Sequence, residues 1–166
     1  MTLTTHAAVG ATVAALFPSY PAVGLIAAFA SHFALDAIPH WDYQLRSYRR
    51  DPENPLNNDL ALNGEFVVDI SKIAFDFVLG LALSVSLFPH IPILAVIGGF
   101  AGMLPDALQF AYFKIRRQPL TWLQKFHYSV HSRHRLSHRP VFGAFLQLLI
   151  IGGVALLAPV LAVAYL

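Results

Sequence analysis

Five apolar runs dominate the chain, at residues 3–17, 20–38, 64–88, 91–113 and 140–165. A helix that crosses the hydrocarbon core of a bilayer needs about 20 mostly apolar residues. Four of the runs come near or exceed that length; the first is short, and is expected to be tilted little or only partly embedded. Pro18 and Pro21 bracket the first turn between runs, and Pro89 and Pro92 bracket the third. Proline suits such breaks, because it lacks an N–H and cannot continue a helix. The expected fold is therefore all-α: a single integral membrane bundle of about five transmembrane helices over residues 1–166. The polar stretch 39–63 reads as a loop, and residues 119–135 read as a helix lying at the interface. The N-terminal run Ala7–Phe17 has no basic residues ahead of it and carries His6 at its mouth, so it reads as a retained helix rather than a cleaved signal.

Composition agrees. Hydrophobic residues make up 57% of the chain and charged residues 12%, about half the ~25% charge of soluble domains. A soluble fold of 166 residues could not hide so much apolar surface. There is no cysteine, which excludes disulfides and thiolate metal sites. A formal charge of +2 is too small to indicate nucleic acid as a partner.

The basic residues set the orientation. Arg46, Arg49 and Arg50 lie in the first polar stretch, and Lys114, Arg116, Arg117, Lys125, Arg133, Arg135 and Arg139 in the second. Of the eleven, only Lys72 falls inside a run. Five spans with a cytoplasmic N-terminus put both basic stretches on the cytoplasmic side, in accord with the positive-inside rule. The expected location is the cell inner membrane, with the working face cytoplasmic.

That topology gathers His6, His32, His40, His127, His131, His134 and His138 at one face, seven of the eight histidines. Asp36, Asp42, Glu65, Asp69 and Asp106 lie toward the same side. His32 and Asp36 are four residues apart and share a helix face. Glu65 and Asp69 repeat that spacing, and His127, His131, His134 and His138 make one stripe if their segment is helical. Imidazole and carboxylate without thiolate suit zinc, with manganese or iron as alternatives. A catalytic zinc takes three such ligands and keeps a place for water, and two metals would share a carboxylate. The histidines from 127 to 138 read equally well as a basic surface for anionic headgroups. Deeper in the third run, Lys72 and Asp76 lie one helical turn apart and are expected to pair.

The polar motifs resemble those of small bacterial inner-membrane proteins described as membrane-bound, metal-dependent hydrolases. Those proteins carry a Thr-His followed by Gly near the N-terminus, seen here as Thr5-His6-Ala7-Ala8-Val9-Gly10. Their Leu-Pro-Asp-x-Asp element is similar to Ile38-Pro39-His40-Trp41-Asp42, with His in place of the first Asp, and in part to Leu104-Pro105-Asp106. A His-Arg element ending in Thr-His is similar to His134-Arg135-Leu136-Ser137-His138, with Ser for Thr. The resemblance implies a metal-dependent hydrolase with a divalent cofactor.

On this reading His6, His32, Asp36, His40, Asp106, His134 and His138 supply metal ligands, with His127 and His131 in reserve. Glu65 or Asp69 acts as general base or orients a ligand. Arg133, Arg135 and Arg139 hold a phosphate, so that the substrate is a lipid or lipid-linked phosphoester and membrane lipids are the partners. Two other classes fit the same residues. A metal-ion or proton transporter would use Asp76, and a non-enzymatic scaffold would use the basic loops to bind anionic lipid or a protein.

Overall fold

Small residues determine what lies at the centre of the molecule. In the computed structural model, which describes residues 1–134 and 136–162, the first helix, α1 (Leu3–Ala15), buries Ala7, Ala8, Gly10, Ala11, Ala14 and Ala15. It is followed by α2 (Pro21–Asp36), α3 (Gly64–Leu87), α4 (Pro92–Ile115), α5 (Leu120–Val130) and α6 (Pro140–Ala162). Although it is short, α1 packs against α2, α3, α4 and α6. Only small side chains allow backbones to approach on four sides. At Gly10 a Cβ would stand 2.6 Å from the Gly98 carbonyl oxygen and 2.9 Å from the Gly102 Cα, so α1 and α4 meet almost backbone to backbone.

Large apolar side chains point the other way. Ile93, Phe75, Leu156 and Val141 are all more than two-thirds exposed, Val141 reaching 83%. An interior rich in alanine, glycine and polar groups under an apolar exterior is the arrangement expected where the surroundings are lipid. Two helices, Pro92–Ile115 and Pro140–Leu161, are long and apolar enough to cross a membrane. The other three expected spans are present as helices, with ends within a few residues of the predicted ones. At 16 residues α2 is apolar but shorter. The 13 residues of α1 cover about 20 Å. Although α3 has 24 residues, it carries Glu65, Asp69, Lys72 and Asp76.

Two of those charges correct the expected ion pair. Lys72 Nζ contacts Asp69 Oδ1 at 3.0 Å rather than Asp76. The Asp69 carboxylate also accepts from the Ser47 backbone N–H at 2.7 Å and its hydroxyl at 2.8 Å. It thereby clamps the loop after α2 onto α3. Asp76 instead caps α1, accepting from Leu3 N at 2.7 Å, Thr4 N at 3.0 Å and Thr4 Oγ1 at 2.6 Å. The opening N–H groups of a helix have no intrahelical acceptor, and the positive end of the helix dipole favours an anion. A consequence follows for depth. Asp76 is 12 residues past Gly64, about 18 Å along α3, so α1 begins deep in the bundle rather than at its face.

The stretch expected as plain loop contains a small hairpin. Strands β1 (Tyr48–Arg49) and β2 (Asp59–Leu60) pair antiparallel around a single 3-10 turn at Pro55–Asn57. Leu60 packs on Tyr112 and Phe113 near the end of α4, and Lys114 Nζ bridges to Asp59 at 2.7 Å. On the other side, Gln147 of α6 accepts from Thr2 N at 2.9 Å and donates to the Trp41 carbonyl at 2.8 Å. It is the only polar side chain in the run Pro140–Ala162.

Candidate metal centre

The last turn of α2 places His32 and Asp36 on one face, turned toward α1, α4 and α5. Asp36 is 2% exposed and is ringed by imidazoles. Its Oδ2 lies 3.0 Å from His127 Nε2, 3.2 Å from His32 Nε2 and 3.9 Å from His131 Nε2. Its Oδ1 lies 3.3 Å from His6 Nε2 and 3.7 Å from His40 Nε2. The Met1 amino group reaches Oδ1 at 3.2 Å and Asp42 at 2.7 Å. Across the site, Asp106 Oδ1 stands 3.6 Å from His32 Nε2. His6 stacks on His32 with ring centroids 4.0 Å apart.

Main-chain carbonyls determine which nitrogen of each ring is turned inward. A carbonyl can only accept, so the ring nitrogen facing it carries the proton. His32 Nδ1–H donates to the Gly102 carbonyl at 2.9 Å, His40 Nδ1–H to Ile38 at 2.7 Å and His131 Nδ1–H to Ser132 at 3.2 Å. In a neutral ring the other nitrogen, Nε2, is then a lone pair. Three such lone pairs face the oxygens of one carboxylate, acceptor against acceptor. A shared cation would satisfy these lone pairs and the carboxylates of Asp36 and Asp106 together. Both nitrogens of His6 and Nε2 of His40 are buried without a hydrogen-bond partner, which is costly unless something else fills the role.

The spacings fit a metal. Donors 2.0–2.2 Å from one tetrahedral ion stand about 3.3–3.6 Å apart. The pairs among His32, Asp36, Asp106 and His127 include separations of 3.0, 3.2, 3.3 and 3.6 Å. These four residues, and separately Asp36, His40 and His131, form buried groups that could hold a metal ion. Backbone partners behind the ligand histidines are the arrangement that orients metal-binding imidazoles.

Two groups outside the helical spans respond to this setting. Burial pushes the Asp42 carboxyl upward, but His40 and the Met1 amino group pull it well below the usual carboxylate range. Burial lowers His131 below the ordinary imidazole value, against the pull of Asp36. That favours the neutral ring, the form that binds metal.

The expected stripe from 127 to 138 does not hold as a helix. Helix α5 ends at Val130, because the chain turns to bond α2. Ser132 N–H donates to the Asp36 carbonyl at 2.7 Å and Leu136 N–H to that of His40 at 3.0 Å. The last carbonyls of a helix lack intrahelical partners, and Ser132 supplies one for Asp36 at the end of α2. His127 and His131 are thereby held at the cluster, while His134 and His138 are exposed and stand in neither His/Asp group among the described residues. Arg133 and Arg139 are exposed beside them, and Arg135 lies outside the described residues. Glu65 is exposed at the start of α3, and Asp69 is engaged by Ser47 and Lys72; neither joins the two groups.

Sequence reasoning did not anticipate the Gly102 and Ile38 carbonyls, since every residue has one and nothing marks those two. Gln147 was missed as well, although a lone amide in an apolar run is a signal that could have found it. Comparisons with protein-family models, curated proteins and solved structures found no match to this chain.

Proposed function

We propose that this protein is a multi-pass membrane hydrolase that depends on a divalent metal, zinc first among the candidates. On this reading it spans the inner membrane five times with its site toward the cytoplasm, and its substrate is a lipid or lipid-linked phosphoester. The observation that carries the proposal is the ring of inward Nε2 atoms around Asp36, three of them set by backbone carbonyls. Arg and Lys clustered in the two polar stretches support the orientation.

His32, His127, Asp106 and Asp36 would hold the ion. When bound, a divalent metal supplies Lewis acidity and lowers the pKa of water at neutral pH. The protein's own groups define the approach. Asp106 is 30% exposed and His131 18%, whereas Asp36, His32 and His127 are at or below 3%. Substrate therefore enters over Asp106 and His131. A cavity of ≈ 310 Å³ beside His40 is walled by Ile38, Pro39, Leu146, Leu149 and Ile150, a lining suited to an acyl chain. A second groove pairs Arg139 with Val141, Phe142 and Phe145, joining an anion-binding guanidinium to an apolar wall.

The transport reading loses support from Asp76, whose two oxygens cap α1. Metal content of the purified protein tests the proposal, with and without His32→Ala and Asp36→Asn, followed by phosphoester hydrolysis on lipid substrates. Protein without stoichiometric metal after loading with zinc, manganese or iron would sink it.

A further inference from the structure

The donors around Asp36 outnumber what one tetrahedral ion takes. His32, His127, Asp106 and one oxygen of Asp36 already make four. His40 and His131 remain, on the other flank of the same carboxylate, with ring centroids 4.9 Å apart. With Asp36 they form a second group whose ligand atoms lie within 4.8 Å of one another. His40 is 3% exposed and its Nε2 has no hydrogen-bond partner, although Asp42 Oδ2 stands 3.3 Å away. Its Nδ1–H is already committed to Ile38, so the neutral ring turns a lone pair inward. Asp36 is the only residue common to the two groups.

We propose that the site is dinuclear, with Asp36 bridging two divalent ions. One ion is held by His32, His127 and Asp106, and the other by His40 and His131 with Asp42 at its outer edge. This rests on the metal-dependent reading above and deepens it. Two-metal sites hold their ions about 3.5–4 Å apart and clamp both the attacking and the leaving oxygen of a phosphoester. The two ion positions are not equivalent. His127 and His32 stand 3.0 and 3.2 Å from Asp36, whereas His40 and His131 stand 3.7 and 3.9 Å from it. The second position is wider and more exposed through His131, and its ion is the more easily exchanged.

The full chain, purified in detergent and loaded with excess Mn(II), tests this by metal analysis and low-temperature EPR. The unsubstituted protein is expected to retain two manganese ions per chain with an exchange-coupled spectrum. His40→Gln and His131→Gln are each expected to lower this to one ion with an uncoupled six-line signal, helix content being checked by circular dichroism. His131 is partly exposed, so its variant tests the second position with little risk to folding. One ion per chain with an uncoupled signal in the unsubstituted protein overturns the dinuclear site and leaves a single-metal hydrolase standing. No bound metal overturns both.

Discussion

Asp36 and Asp76 are both buried carboxylates on apolar helices, yet their surroundings are opposite. Asp76 accepts from two backbone N–H groups and a hydroxyl, so its charge is met by donors. Asp36 faces imidazole nitrogens, which in the neutral rings of His32, His40 and His131 are lone pairs, and it also meets the Met1 amino group at 3.2 Å. A carboxylate whose acceptors are matched by donors belongs to the architecture. A carboxylate ringed by imidazoles and a second carboxylate is one whose surroundings could hold a metal ion. Burial is alike in the two cases; the nature of the neighbours distinguishes them.

That contrast can be broken by experiment, and the largest effect is expected at Asp36. Asp36→Asn should weaken metal binding by more than about 100-fold, beyond what loss of an outer partner costs. Retention of full metal content in that variant would remove the distinction. Chelation comes next. A metal present at 100 times its dissociation constant stabilises the folded state by about 2.7 kcal/mol, so thermal unfolding in detergent should drop on adding chelator. The Asp36→Asn variant should not respond, and a response equal to that of the unsubstituted protein would locate the metal elsewhere.

Asp76→Ala should behave in the converse way. Two buried N–H groups at the start of α1 lose their acceptor, and stability should fall by about 2 kcal/mol with metal stoichiometry unchanged. A coupled loss of metal would show that the two carboxylates are not separable. The smallest effect is expected at the hairpin. Asp59→Asn removes a partly exposed pair with Lys114, and thermal shift should register less than about 1 kcal/mol.

The helices were legible because apolar run length and proline breaks act locally. Predicted run 91–113 became Pro92–Ile115, and 64–88 became Gly64–Leu87. His32 and Asp36 were legible as a pair for the same reason, since a four-residue spacing on a helix fixes their relation before any tertiary contact forms. The histidines after residue 130 were not. Whether they continue a helical stripe depends on Ser132 finding the last carbonyl of α2 and Leu136 that of His40 in the loop beyond it, contacts across more than ninety residues. Lys72 likewise had two carboxylates within one helical turn. It contacts Asp69, while the arrival of α1 claimed Asp76.

The sequence by itself determined an all-helical chain, apolar enough for a membrane, with imidazoles and carboxylates gathered toward one end and a fixed His32–Asp36 pair. These follow from composition and helical period, which need no partner. Only the tertiary structure decided which groups converge: His127 and Asp106 on the first flank of Asp36, His40 and His131 on the second, Asp69 and Asp76 withdrawn into loop and cap. The physical reason is that a carboxylate's role is set by the donors or lone pairs brought within about 3–4 Å of it, and those arrive from α1, α4, α5 and the loops that follow α2 and α5.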